Sequence, residues 1–137
     1  MRVFFDTSTL VKKYIDEPGS VELDELMEKV SQVVVSSIYE IEIFSFINRK
    51  IREKEISPSD IDEVKKEVRV DYDLFETVIF SSVVRQKAID LLEQCPLASL
   101  DSIQLASACI AQADMFVTSD KQLFKYASRE LKKVQLI

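Results

Sequence analysis

Histidine and tryptophan are absent from this chain of 137 residues, glycine occurs once and proline three times. Without His, a Ser-His-Asp triad, a Cys-His pair, an HExxH zinc helix and a paired-imidazole ribonuclease are all excluded. The lone Gly19 also excludes a GxGxxG fingerprint and a P-loop, which need several glycines where backbone closes on phosphate. Only two cysteines are present, Cys95 and Cys109, in neither a CxxC nor a metal quartet. Each lies beside apolar residues, so they read as buried thiols. No run approaches the ~20 apolar residues that cross a bilayer. The opening Met1-Arg2-Val3-Phe4-Phe5-Asp6 turns acidic too early for a signal peptide, so a soluble, cytoplasmic protein with no membrane association is expected.

Carboxylates are what the chain does have: 24 Asp and Glu against 18 Lys and Arg give a formal charge of −6. That balance argues against a general nucleic-acid binder relying on a basic surface. It leaves open a site where acids hold Mg²⁺ or Mn²⁺, the main chemistry of carboxylates without His. One or two bound ions would bring the charge to about −4 or about −2 and place positive charge where a phosphate would sit. At 47% hydrophobic, the length suits one domain spanning residues 1–137.

Short β-rich runs alternate with helical periodicity. Strands are expected at Val3–Phe5, Val33–Val35, Thr77–Phe80, Met115–Thr118 and Val134–Ile137. Helices are expected over Ser8–Ile15, Val21–Val30, Ile38–Lys54, from Ser57-Pro58-Ser59-Asp60 by N-cap chemistry to about Asp71, then Val83–Leu92, Leu100–Ala111 and Lys121–Leu131. Apolar strands separated by helices predict an α/β fold, a mainly parallel sheet covered on both faces in three layers, α/β/α. Ligands of such sheets bind beyond the strands' carboxyl ends.

Acids fall there. Asp6 follows the first strand directly, and Asp120 follows Met115–Thr118 by two residues. Asp101 lies in the first turn of its helix, and Glu42 early in the helix after Val33–Val35. Any one alone is as well explained by the helix dipole, but four from distant segments, with no other catalytic residue type present, point to a metal site. Glu40 rivals Glu42, yet two residues on a helix are about 200° apart, so they cannot serve one site equally. Glu42 shares a polar stripe with Ser45, Arg49 and Arg52, whereas Glu40 falls among Phe44, Ile47 and Ile51 and stands in capping-box register with Ser37. Glu42 therefore takes the ligand role. Arg49, two turns on, is placed either to bind a phosphate or to pair with an acid. Lys12, Lys13, Lys121 and Lys125 follow site segments and are candidates for tracking a nucleic-acid backbone, or are simply solvated. Phosphodiester hydrolysis adds negative charge to an anion and needs hydroxide near neutral pH, and a divalent cation serves both needs.

Four segments also resemble the motif regions of the PIN-domain family: Phe5-Asp6-Thr7-Ser8-Thr9-Leu10-Val11, Ser36-Ser37-Ile38-Tyr39-Glu40-Ile41-Glu42-Ile43, Leu100-Asp101-Ser102-Ile103-Gln104-Leu105-Ala106-Ser107-Ala108 and Phe116-Val117-Thr118-Ser119-Asp120-Lys121-Gln122-Leu123. They occur in the family's order over nearly the whole chain, and the nearest look is the VapC-type toxin of toxin–antitoxin pairs. The resemblance implies a parallel-sheet α/β/α fold, Mg²⁺- or Mn²⁺-dependent endoribonuclease activity, a homodimer and a small antitoxin partner. It carries metal roles onto Asp6, Glu42, Asp101 and Asp120, with Ser8 and Thr118 as polar supports at the substrate side. Gln104 stands where the family often has His, a departure expected to matter little.

Two other readings compete. A phosphatase or phosphoacceptor would use Asp6 as nucleophile, but no second acid follows two residues on. A catalytically weak or inactive interaction module would keep the fold and bind a protein, drawing on the apolar helices between Val21 and Tyr72 and on Ile38–Ile51, which reads as apolar all round.

Overall fold

The computed structural model describes residues 1–137. Five strands, β1 (Arg2–Phe5), β2 (Gln32–Ser36), β3 (Glu76–Val78), β4 (Met115–Thr118) and β5 (Val134–Leu136), form one sheet. Its order is β3-β2-β1-β4-β5 and every pairing is parallel. Seven helices connect them: α1 (Thr7–Leu10), α2 (Ser20–Met27), α3 (Tyr39–Arg52), α4 (Ile61–Leu74), α5 (Ser82–Gln94), α6 (Ser99–Ala111) and α7 (Lys121–Glu130).

Strand alternation divides the core. Val3, Phe5, Val33, Val35, Met115 and Val117 meet side chains from α1 to α4 on one face. Phe4, Val34 and Phe116 meet α5, α6 and α7 on the other. Successive strand side chains point to opposite faces, so a sheet apolar at every position must be covered twice, as the three-layer expectation holds. Phe4 and Phe116 are adjacent by register, with ring centroids 5.8 Å apart. Each such buried side chain contributes on the order of 1.5–3 kcal/mol.

Several expected boundaries move for identifiable reasons. The first helix is α1 followed by a 3₁₀ turn, Val11–Lys13, rather than one helix to Ile15. Tyr14, just past the turn, is anchored through its hydroxyl to Tyr39 at 2.8 Å and Asp71 at 2.7 Å. α2 stops at Met27 because Ser31 already donates to the Met1 carbonyl, leading the chain into β2. α4 runs past Asp71 to Leu74, where Tyr72 stacks on Tyr39 and Phe75 meets that ring edge-on. Asp60 occupies the N-cap position of α4, yet its side chain accepts no cap bond. The capping box is not formed either: Ser37 Oγ accepts the Phe80 N–H, not an α3 amide. Nor is α3 buried all round. Tyr39, Ile43 and Ile47 enter the core while Ile41 is 75% exposed. Both thiols are free, with Cys95 buried and Cys109 only half-buried.

Candidate active site

The strand order changes direction between β1 and β4, and a crevice opens beyond the carboxyl ends of strands at such a point. Asp6 sits there. Its N–H still bonds the Val117 carbonyl at 2.9 Å, which holds its backbone to the sheet edge, and the residue is 5% exposed. Its Oδ2 accepts the hydroxyls of Ser8 at 2.5 Å and Thr118 at 2.9 Å. Those hydroxyls in turn accept the Ser119 N–H (3.1 Å, onto Ser8) and the Asp120 N–H (3.0 Å, onto Thr118), tying the ends of β1 and β4 together. Asp120 caps α7, its Oδ1 accepting the N–H groups of Gln122 at 2.7 Å and Leu123 at 2.9 Å.

Glu42 lies in the first turn of α3. Its Oε1 accepts from Thr7 Oγ1 at 3.1 Å and from Gln104 Nε2 at 2.5 Å, and Gln104 gives its other amide hydrogen to Thr7 at 2.9 Å. Asp101, in the first turn of α6, has no comparable brace. A pattern emerges across three of the acids: the protein's side-chain and cap hydrogen bonds converge on one oxygen, Oδ2 of Asp6, Oε1 of Glu42 and Oδ1 of Asp120. The second oxygen of each accepts no side-chain hydrogen bond, although the Thr7 N–H also serves the Asp6 carboxylate. Oriented carboxylates of this kind are what hard-cation sites use.

Asp6, Glu42, Asp101 and Asp120 all line one cavity of about 500 Å³, together with Ser8, Ser45 and Arg49. A second cavity, about 570 Å³, contains none of these acids and lies toward the amino ends of the strands, against Phe4, Met115 and Lys133. Burial raises the carboxyls of Asp6 and Glu42 above their usual range. The hydroxyls of Ser8 and Thr118 oppose this at Asp6 and the Gln104 amide opposes it at Glu42, while the neighbouring acids add to it. Asp101 is pushed up to about 6, by burial first and then by the charges of Asp6 and Asp120. The acids therefore repel one another across a shared space, a charge distribution that a divalent cation relieves. No three of them are gathered tightly enough to hold an ion on protein ligands alone.

Of the other expected site residues, Thr118 is fully buried beneath Asp6, so it supports that carboxylate rather than facing the cavity. Arg49 takes part in no ion pair. Its guanidinium lies 4.8 Å from the Phe46 ring centre, so the pairing alternative gives way to a free cation at the cavity wall. Arg52 is not in the wall, and neither is Glu40. Lys12 is turned to Glu17 at 3.3 Å and the Pro18 carbonyl at 2.7 Å, and Lys13 to Asp71. Lys12 nonetheless lines the cavity, whereas Lys13 does not. Thr7 and Gln104 were not expected to matter. The signal for Gln104 was an amide three residues beyond Asp101 and four before Ala108, on the same side of α6 as both.

The model of the PIN domain matches residues 3–129. The chain belongs to the PIN domain family. Comparison of this PIN domain with curated proteins finds no match. Among solved structures, its fold is similar to that of a toxin–antitoxin complex from Klebsiella pneumoniae, at 18% identity and a TM-score of 0.69 over 89% of each chain. It is also similar to VapBC2 from Rickettsia felis bound to a DNA fragment from its promoter, at 16% identity and a TM-score of 0.64, covering 100% of this chain and 99% of the other. FitAcB from Neisseria gonorrhoeae aligns at 14% identity and a TM-score of 0.64, covering 92% and 93%. At these identities the likeness concerns the fold of the PIN domain.

Proposed function

We propose that residues 1–137 act as one PIN domain that hydrolyses RNA phosphodiester bonds with Mg²⁺ or Mn²⁺, as the cytoplasmic toxin of a type II toxin–antitoxin pair. The observation that carries the reading is the convergence of four carboxylates from four elements on one cavity, three of them with one oxygen held by hydrogen bonds. Asp6, Glu42, Asp101 and Asp120 would hold the cation, which when bound would supply neutralisation of the phosphate and acidify a water near neutral pH. Ser8 and Thr118 fix the Asp6 carboxylate through its Oδ2. Gln104 and Thr7 do the same for Glu42. Arg49, its guanidinium resting on the Phe46 ring, offers a planar fork for a phosphate oxygen pair. The toxin setting and a small antitoxin partner are supported by the fold's likeness to toxin–antitoxin complexes, and the homodimer by the family resemblance alone.

Purified protein should cleave a structured RNA with Mg²⁺ or Mn²⁺, stop with EDTA, and recover when the metal is restored. Equal cleavage by Asp6→Asn would remove the reading. The absence of a preassembled three-carboxylate cage favours the second reading, a PIN-fold module that binds a protein without catalysis. Calorimetric titration with Mn²⁺ separates the two, since a module needs no cation and would bind none.

A further inference from the structure

A chain that cuts RNA must first hold it, and most of this one repels it. Residues 1–120 contain 13 Lys and Arg against 23 Asp and Glu, a formal −10. Residues 121–137 contain five Lys and Arg against Glu130 alone, a formal +4. Such a split marks the terminal segment as the place where a polyanion meets least repulsion.

The structure arranges those charges on α7. Lys121, Lys125 and Arg129 are four residues apart, so they form one ridge along the helix, and all three are exposed. None takes part in an ion pair. The one acid of the segment, Glu130, is turned to Lys87 at 2.9 Å and leaves the ridge without a counter-charge. The Lys125 ammonium and the Arg129 guanidinium lie 5.6 and 5.2 Å from the centre of the Tyr126 ring, an aromatic contact that leaves their charge uncancelled. At roughly 1.5 Å per residue the ridge extends about 12 Å, and it begins beside Asp120, the residue that caps α7 at the cavity. Cations elsewhere are differently placed. Lys13 and Lys50 are paired with acids, and Lys65, Lys66 and Arg69 on α4 alternate with Glu63, Glu67 and Asp71.

We propose that the Lys121–Lys125–Arg129 ridge binds the phosphate backbone of an RNA strand and leads it to the cavity. The direction toward the cavity rests on the nuclease reading above, whereas the binding itself does not. Each neutralised phosphate of a single strand contributes about −0.7 to the slope of log affinity against log salt, so three contribute about −2. Between 50 and 200 mM KCl that part alone weakens binding roughly 20-fold.

The test measures fluorescein-labelled oligouridylate binding to the Asp6→Asn protein, at constant Mg²⁺ and varied KCl, with and without Lys121→Gln, Lys125→Gln and Arg129→Gln together. The triple change should weaken binding at 50 mM and flatten the slope by about 2, with Lys125→Gln alone flattening it by about 0.7. Thermal melting checks that these exposed substitutions leave the fold intact. Unchanged affinity and slope in the triple variant would overturn the ridge, as would no oligouridylate binding before it is changed. If the native chain cleaves RNA while the triple variant binds normally, the ridge falls and the nuclease stands. If the native chain fails to cleave but its RNA binding is lost with the ridge, the nuclease falls and the ridge stands. Poly-glutamate binding that disappears with the ridge while oligouridylate binding persists would assign this face to an acidic protein and overturn the proposal.

Discussion

Replacing Gln104 by Leu should separate stability from activity. Gln104 is 1% exposed, and its amide nitrogen donates to Glu42 and Thr7 while its Oε1 has no partner at all. Losing a donor to a charged group costs on the order of 1.5–3 kcal/mol. Removing a buried unpaired oxygen returns on the order of 1–3 kcal/mol, and Leu fills nearly the same volume. The two effects nearly cancel, so Gln104→Leu should shift Tm by less than about 4 °C. Glu42 fares differently, because its Oε1 keeps only the 3.1 Å bond from Thr7 and the carboxylate is no longer held in one rotamer. Loss of a partner that orients a metal ligand typically lowers metal affinity or activity about 10- to 100-fold. Mn²⁺ calorimetry, RNA cleavage and thermal melting on the same preparation give the three readouts. Native Mn²⁺ affinity and cleavage in Gln104→Leu would refute the bracing role, and a Tm loss above about 10 °C would show instead that the amide mainly holds the core together.

Three further outcomes are expected. Glu42→Gln should lower cleavage by about 100-fold and Glu40→Gln should leave it near native, since only Glu42 lines the cavity; the reverse result would overturn the assignment. Arg49→Ala should raise KM for RNA about 10-fold with kcat little changed, and Arg49→Lys should restore only part of it because an ammonium lacks the planar fork; a fall in kcat alone would place Arg49 elsewhere in the reaction. Asp101, held at about 6 in the fold against 3.8 unfolded, binds more protons when folded. Without divalent cation, stability should therefore fall as pH rises from about 4 to about 6, and Asp101→Asn should make that fall shallower while the raised carboxyls of Asp6 and Glu42 keep part of it. Melting curves in EDTA across this range check it, and a stability that rises with pH in both proteins would contradict the assigned burial.

The fold was legible because its strands are apolar at every position, which a sheet tolerates only with both faces covered. Strand positions followed directly, and with them Asp6 and Asp120, whose place one or two residues past a strand is set by backbone geometry alone. Helix ends were less legible because tertiary contacts decide them. The Tyr72 and Phe75 rings prolong α4 over Tyr39, a contact no local propensity encodes. The supposed capping pair Ser37 and Glu40 failed for a similar reason, since β3 leads into Phe80, whose amide claims the serine hydroxyl. Choosing Glu42 over Glu40 needed only the 3.6-residue period, and the cavity wall of Glu42, Ser45 and Arg49 follows that stripe as far as Arg49.

Burial in this site works against the charged forms of Asp6, Glu42 and Asp101, and the chain offsets it at the first two with hydroxyls, one side-chain amide and the Thr7 N–H rather than with cations. A salt bridge to each carboxylate would stabilise the free fold more, but it would occupy the oxygen a metal needs. Arg49 stands at the same wall and yet pairs with none of the four acids, resting on an aromatic ring instead. Neutral donors hold a carboxylate still without cancelling its charge. The consequence is a crevice left electrostatically unbalanced in the bare chain, so a divalent cation that binds only the folded form should raise its stability by mass action, most of all near neutral pH, where Asp101 is ionised.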